Sequence, residues 1–165
     1  MPNYLAVFSK CVRMIQEMPW DPARKEFKPV TMIVRHTGGM SFSAHTSTGL
    51  TIPIDAHVHL GGSGAIPNPI DYLFASLGGC IGIKILLDLG DRGIHPEELQ
   101  IETKATRKQD LPATFETVHH VISLKASCDE NAIIESLSRT MSFLCPIAVL
   151  FGETSHMTWE FQLQR

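Results

Sequence analysis

The sequence lacks the features of several large protein classes. Its most apolar stretch, Tyr72 to Ile83, is followed by Lys84 and Asp88, so it is shorter than the roughly 20 apolar residues that a membrane-spanning helix needs. The first twenty residues mix apolar side chains with charged ones such as Lys10 and Arg13, and the apolar core of a secretory signal is missing. We therefore expect a cytoplasmic protein without a membrane segment.

Concentrated charge of one sign is also missing. The 14 Lys and Arg residues and the 17 Asp and Glu residues give a formal net charge of -3, without a long run of either sign. A nucleic-acid-binding surface needs clustered positive charge, so nucleic acid is not an expected partner. Among the eight histidines, His57 and His59 share a strand face, but no third ligand lies at a typical metal-site distance. Solvated strand histidines are the preferred interpretation, and we expect neither a metal nor a cofactor.

Cysteine is scarce, and its spacing excludes common structural uses. The four residues are Cys11, Cys80, Cys128 and Cys145, and none of them forms a CxxC pair. This spacing argues against zinc knuckles and thioredoxin-like motifs. In a reducing compartment the four side chains rest as thiols. Any disulfide among them would therefore be transient and chemical.

The chain is long enough for one domain, and its pattern predicts an α+β fold. Residues 1–28 are expected to form a helical extension and a proline-punctuated linker before a domain at 29–165. Asn68 and Pro69 provide a cap and a first-turn proline for a helix that runs to about Leu89. The apolar residues of this helix lie on nearly all sides, which predicts a helix surrounded by protein.

Alternating residues predict six strands around that helix. A hairpin at 29–36 and 40–46 is followed by a strand from Thr51 to Leu60 with Asp55 on its polar face. The glycine-rich loop at 61–67 is interpreted as a flexible connector or as the mouth of a cleft. A second hairpin at 99–105 and 118–124 precedes a helix that starts near Asp129 and is interrupted by Pro146. A last strand follows at 157–163.

Two of the cysteines occupy unusual positions. Cys80 follows Gly78 and Gly79 inside the long helix, and Cys145 lies where Pro146 interrupts the second helix. Each glycine costs about 1 kcal/mol relative to alanine in a helix interior. This cost has two alternative explanations. One is the close approach of another backbone or of a substrate, and the other is tight packing between helices.

The segment NPIDYLFASLGGC at 68–80, followed by Cys145 and Pro146, resembles the cysteine signature of the OsmC/Ohr superfamily over roughly residues 28–165. The resemblance implies an intertwined homodimer in which two long central helices are wrapped by antiparallel sheets from both subunits. It also implies a thiol peroxidase in oxidative or osmotic stress defence. Cys80 would attack an organic hydroperoxide and become a sulfenic acid, Cys145 would condense with it, and a dithiol reductant would reopen the disulfide.

This chemistry requires a cation near the reacting thiol. Lowering a thiol pKa from about 8.5 to about 6 takes roughly 3.4 kcal/mol. Arg35 is our candidate for the arginine of the family, although it is also readable as a surface strand residue, and Arg139 is less suitable. In hydroperoxide-reducing members a carboxylate follows the proline directly, and that position is Ile70 here. Asp71, one place later, is similar to the acid of the broader OsmC-like branch, or is simply a first-turn acid favoured by the helix dipole.

A different class of function stays open. Buried free cysteines behave as small hydrophobic side chains, so Cys80 and Cys145 are also readable as core residues. The protein would then be a catalytically silent OsmC-like fold that binds a small apolar ligand at the dimer cleft. His120 is expected to be either a core histidine or a residue of that cleft.

Overall fold

The structure is a computed structural model that describes residues 29–165, and the N-terminal helix expected from the sequence lies outside the described residues. The described chain forms two compact units, at residues 29–75 and 76–165. The boundary falls within helix α1 (Pro69–Gly90), which begins at its expected cap and ends one residue beyond Leu89. The α+β class inferred from the sequence is confirmed.

The N-terminal unit contains an antiparallel sheet of three strands in the order β1-β2-β3. The strands are β1 (Met32–Gly38), β2 (Ser41–Thr46) and β3 (Thr51–Ile54). The expected strand from Thr51 to Leu60 is wrong in its second half, because β3 ends at Ile54 and a single 3-10 turn follows at Val58–Leu60. The apolar alternation therefore continues past the point where the backbone leaves the sheet.

Asp55 explains this early end of the strand. It is buried instead of facing solvent, and its carboxylate accepts hydrogen bonds from the Ser63 hydroxyl at 2.6 Å, the Ser63 N–H at 2.7 Å, the Ala56 N–H at 2.9 Å and the Ser41 hydroxyl at 3.1 Å. These donors, the Ser63 hydroxyl first among them, lower the pKa of Asp55 to about 2. A Cβ at Gly62 would overlap the carbonyl oxygen of Ala56. The glycine-rich loop is thus anchored by a charged carboxylate, and the flexible-connector interpretation did not anticipate this.

The C-terminal unit contains a second sheet in the order β4-β5-β6. The expected hairpin joins β4 (Glu98–Arg107) and β5 (Phe115–Lys125), which are antiparallel. The last strand, β6 (His156–Gln164), pairs with β5 in parallel. This sheet is therefore mixed, whereas the resemblance implied antiparallel sheets. The reason is that β5 and β6 are joined by a helical crossover, which returns the chain in the same direction.

This crossover has three parts. Helix α2 (Glu130–Arg139) starts at the cap Asp129, a π-helical turn follows at Thr140–Leu144, and helix α3 (Pro146–Gly152) begins after Cys145. The axis bends by 75° at the break. Pro146 cannot donate a backbone hydrogen bond and disfavours helical geometry at the residue before it, so Cys145 takes an extended conformation.

Apolar side chains of α1, β5 and α2 form the core of the C-terminal unit. The fully buried ones are Leu77, Ile81, Ile85, Leu89, Val118, Ile122, Leu124, Ile133 and Leu137. A Cβ at Gly82 would lie 3.4 Å from Ile101 Cδ1 and 3.7 Å from Leu99 Cδ2, so this glycine allows α1 to approach β4 closely. Each large buried side chain contributes about 1.5–3 kcal/mol to folding.

The opposite face of α1 is apolar but exposed. Ile83 and Leu87 are 60% and 58% exposed, and Leu86 is also exposed. Within one chain, protein therefore covers one side of this helix, whereas the sequence predicted that protein surrounds it. By length and composition alone α1 is long enough to cross a membrane, a criterion that the core helix of a soluble protein also meets.

A network of ion pairs joins the end of α1 to α2. Buried Asp88 forms ion pairs with Arg139, at 3.3 Å between Oδ1 and Nη2, and with Arg92, at 3.4 Å between Oδ2 and Nη2. Arg92 Nη1 donates to Glu135 at 2.9 Å. Both guanidinium groups are about a quarter exposed. Arg139 is thus engaged by a carboxylate on α1.

Candidate active site

Cys80 lies near the middle of α1 and is half-buried. A Cβ at Gly78 or Gly79 would meet no atom within 4 Å. Tight packing between helices of the described chain therefore does not explain this glycine pair, which leaves open space at its own two positions. The space is available to a substrate or to a second chain.

Cys145 lies at the start of α3 and is fully buried. Its backbone N–H donates to Thr140 O at 3.0 Å, which closes the π-helical turn. Its sulfur accepts a hydrogen bond from the Ala148 N–H at 3.4 Å and so caps the helix. The sequence predicted the break at Pro146 but not the π turn. Turns of this type are frequent at functional sites.

The structure brings the two thiols together, as a redox pair requires. The pKa of Cys145 is raised to about 11, first by burial and then by hydrogen bonding and charge from the Cys80 side chain. Both cysteines are free thiols. At neutral pH Cys145 therefore keeps its proton, and their redox roles stay predictions.

The other two expected site residues, Arg35 and Asp71, lie in the N-terminal unit, whereas the two cysteines lie in the C-terminal unit. Arg35 lies on exposed strand β1, opposite Ser43, in the N-terminal unit, and no ion pair among residues 29–165 includes it.

Asp71 lies in the first turn of α1. Its carboxylate accepts from the Asn68 side chain at 2.6 Å and from the Asn68 N–H at 2.9 Å, while Asn68 Oδ1 accepts from the Ile70 N–H at 2.8 Å. These bonds support the interpretation of Asp71 as a helix-capping acid.

His57 and His59 lie at the 3-10 turn after β3, so the expectation that they share a strand face is wrong. The rings of His57 and His59 stack with centroids 4.9 Å apart, and His57 Nδ1 accepts from the His59 N–H. Among the residues that the structure describes, no group of three or more His, Cys, Asp or Glu side chains is arranged to hold a metal.

His120 is a core histidine of β5. It is fully buried, its Nδ1 is 2.9 Å from Thr103 Oγ1, and its Nε2 has no hydrogen-bond partner within the described part of the chain. Burial, and to a lesser extent the charge of His119, lowers the pKa of His120 to about 4. The ring is therefore neutral at physiological pH.

This neutral histidine predicts a loss of stability in mild acid. An unfolded histidine titrates near 6.5, so between about pH 6.5 and pH 4 the unfolded state binds more protons than the folded state. Linkage then reduces the free energy of unfolding by about 2 to 3 kcal/mol as the pH falls from 7 to 4.5. In urea titrations, we expect the free energy of unfolding of His120→Leu to fall by about 2 to 3 kcal/mol less than that of the wild type over this pH range. The exposed His156→Gln is the control, and an equal pH dependence in wild type and His120→Leu would contradict this account.

Comparison with known proteins identifies relatives of this architecture. A family model described as OsmC-like protein matches residues 62–160, more than half of the chain. A search of curated proteins gave no significant match.

Three solved structures illustrate the similarity. A putative osmotic stress induced and detoxification response protein from Psychrobacter arcticus is 22% identical, with a TM-score of 0.71 over 84% of this chain and 100% of that one. An organic hydroperoxide resistance protein OsmC from Legionella pneumophila is 16% identical, with a TM-score of 0.63 over 84% and 99% of the two chains. The organic hydroperoxide resistance protein OhrB of Bacillus subtilis is 17% identical, with a TM-score of 0.57 over 82% and 98%.

Proposed function

Because this chain belongs to the OsmC-like family, we propose that it is a thiol peroxidase that reduces organic hydroperoxides through Cys80 and Cys145. The observation that supports the proposal is the interaction between these two thiols, which come from separate helices of the C-terminal unit. One thiol is half-buried, and the other is fully buried. This asymmetry suits two different roles.

In the first step, the Cys80 thiolate attacks the terminal oxygen of the hydroperoxide and the O–O bond breaks, which gives a sulfenic acid and an alkoxide. The alkoxide takes up the proton that Cys80 released on ionisation and leaves as an alcohol. Cys145 is unsuited to this step because it is buried and keeps its proton. In the second step, the sulfur of Cys145 attacks the sulfenic acid on Cys80, water leaves, and a disulfide forms. A dithiol reductant then restores both thiols. Arg35 is our candidate for the cation that favours the Cys80 thiolate, with Asp71 as a candidate for orienting it.

We further propose that the protein works as a cytoplasmic homodimer. The exposed apolar face of α1, with Ile83, Leu86 and Leu87, is what a second copy would cover. Sedimentation equilibrium is expected to give twice the chain mass of 18.3 kDa. A monomer at micromolar concentration would refute this part of the proposal.

The activity is tested with Cys80→Ser. We expect wild-type protein to consume cumene hydroperoxide in the presence of dithiothreitol, and Cys80→Ser to be slower by a factor of at least about 100, because the nucleophile is gone. Cys128→Ser is the matched control, since Cys128 is also a half-buried free thiol, and it should keep the wild-type rate. A wild-type rate equal to that of Cys80→Ser would overturn the peroxidase and favour an OsmC-like protein that binds a small apolar ligand.

A further inference from the structure

The two sulfurs of the pair differ in the access that they give to a reductant. Cys145 is fully buried, whereas Cys80 is half-buried. Thiol–disulfide exchange requires the attacking sulfur to reach one particular sulfur of the disulfide. In the described part of this chain, Cys80 is the more exposed cysteine of the pair.

Cys145 also has the backbone donors that a leaving thiolate needs. The Ala148 N–H donates to its sulfur at 3.4 Å, and the backbone of Ile147 makes a second hydrogen bond to it. Both bonds favour the ionised sulfur, against burial. The two remaining causes that disfavour the thiolate come from the Cys80 side chain. They are removed when Cys80 is joined to the reductant, so Cys145 ionises more easily at that stage than in the reduced protein.

From this asymmetry we propose that the reductant acts on one side of the pair: a dithiol attacks the sulfur of Cys80, and Cys145 leaves as a thiolate held by the first amides of α3. This proposal rests on the proposed function and adds to it the site of reductant attack. It makes Ala148 and Ile147 positioning residues that act through their backbone N–H groups.

The electrons and protons of the step balance. One thiolate of the dithiol forms a new S–S bond with Cys80, and the bond between Cys80 and Cys145 breaks with its electron pair on Cys145. Cys145 then takes the proton of the second thiol of the reductant. That second thiolate attacks the mixed disulfide, so that the reductant leaves as a cyclic disulfide and Cys80 as a thiolate. One disulfide is reduced and one dithiol is oxidised.

The test uses a monothiol, because it cannot complete the second step. The full chain carrying Cys11→Ser and Cys128→Ser is oxidised with diamide, and the link between Cys80 and Cys145 is verified by peptide mass spectrometry. Glutathione is then added briefly, the reaction is quenched with acid, and free thiols are blocked with N-ethylmaleimide. We expect glutathione on Cys80 and the blocking group on Cys145, in at least about tenfold excess over the reverse arrangement.

Each outcome separates this inference from the proposed function. Glutathione on Cys145, or on both cysteines equally, overturns the proposed direction of attack. Failure of diamide to link the two cysteines overturns both the direction and the redox pair. Glutathione on Cys80 in a protein that does not consume hydroperoxide supports the direction of attack while refuting the peroxidase, because diamide forms the disulfide without peroxide.

Discussion

Replacing Asp88 with alanine is expected to lower the free energy of unfolding by about 3 kcal/mol. The carboxylate is buried and pairs with Arg92 and Arg139, so its loss leaves two guanidinium groups without their shared partner. The value lies at the low end for a broken buried ion pair because both arginines are partly exposed and Arg92 keeps Glu135. Urea unfolding at pH 7 followed by circular dichroism measures the change.

Asp91 provides the matched control for this experiment. It lies three residues further along the chain, is exposed, and has no ion pair within residues 29–165. Asp91→Ala should therefore change the stability by less than about 0.5 kcal/mol. If both variants lost the same stability, the ion-pair network would not be what fastens α1 to α2.

Replacing Cys145 with serine is expected to convert reversible oxidation into irreversible inactivation. Without a resolving thiol, the sulfenic acid on Cys80 persists and excess hydroperoxide oxidises it further to a sulfinic acid. Wild-type protein, by contrast, should form a disulfide and recover fully with dithiothreitol. The measurement exposes both proteins to about ten equivalents of cumene hydroperoxide per chain, adds dithiothreitol, and then records activity and intact mass.

Cys128→Ser should behave as wild type in the same experiment, since Cys128 lies outside the pair. We expect Cys145→Ser to gain the mass of two oxygen atoms and to stay inactive. Full recovery of Cys145→Ser would contradict the resolving role of Cys145 and leave Cys80 to act as a single-cysteine peroxidase.

Local signals predicted the main elements of the fold. Helix α1 was placed almost to the residue because Asn68 and Pro69 are a cap and a first-turn proline whose effect does not depend on the rest of the chain. The hairpin of β4 and β5 followed from two alternating segments separated by a short polar one. The alternation of apolar and polar residues shows which face of a strand is buried, but it does not show which strand lies next to it. The parallel pairing of β5 with β6 could therefore not be predicted from the sequence pattern.

The features that were missed depend on distant partners. Asp55 was assigned to a solvent face because its alternation is regular, and its burial arises from Ser63 and Ser41, which are eight and fourteen residues away. The π turn before Cys145 was missed because apolar residues spaced three and four positions apart indicate an α-helix and do not reveal a wider turn within it. The meeting of Cys80 and Cys145 was expected from the family resemblance, since no local pattern joins residues so far apart.

The identity of the disulfide formed by peroxide tests the central claim most directly. Reduced wild-type protein is treated with one equivalent of cumene hydroperoxide, free thiols are blocked with N-ethylmaleimide, and the digest is analysed by mass spectrometry. Our account predicts a single linked peptide pair that joins Cys80 to Cys145, with Cys128 blocked as a thiol. Recovery of Cys80 and Cys145 as blocked thiols after the peroxide is consumed, or a link that excludes either of them, would contradict it.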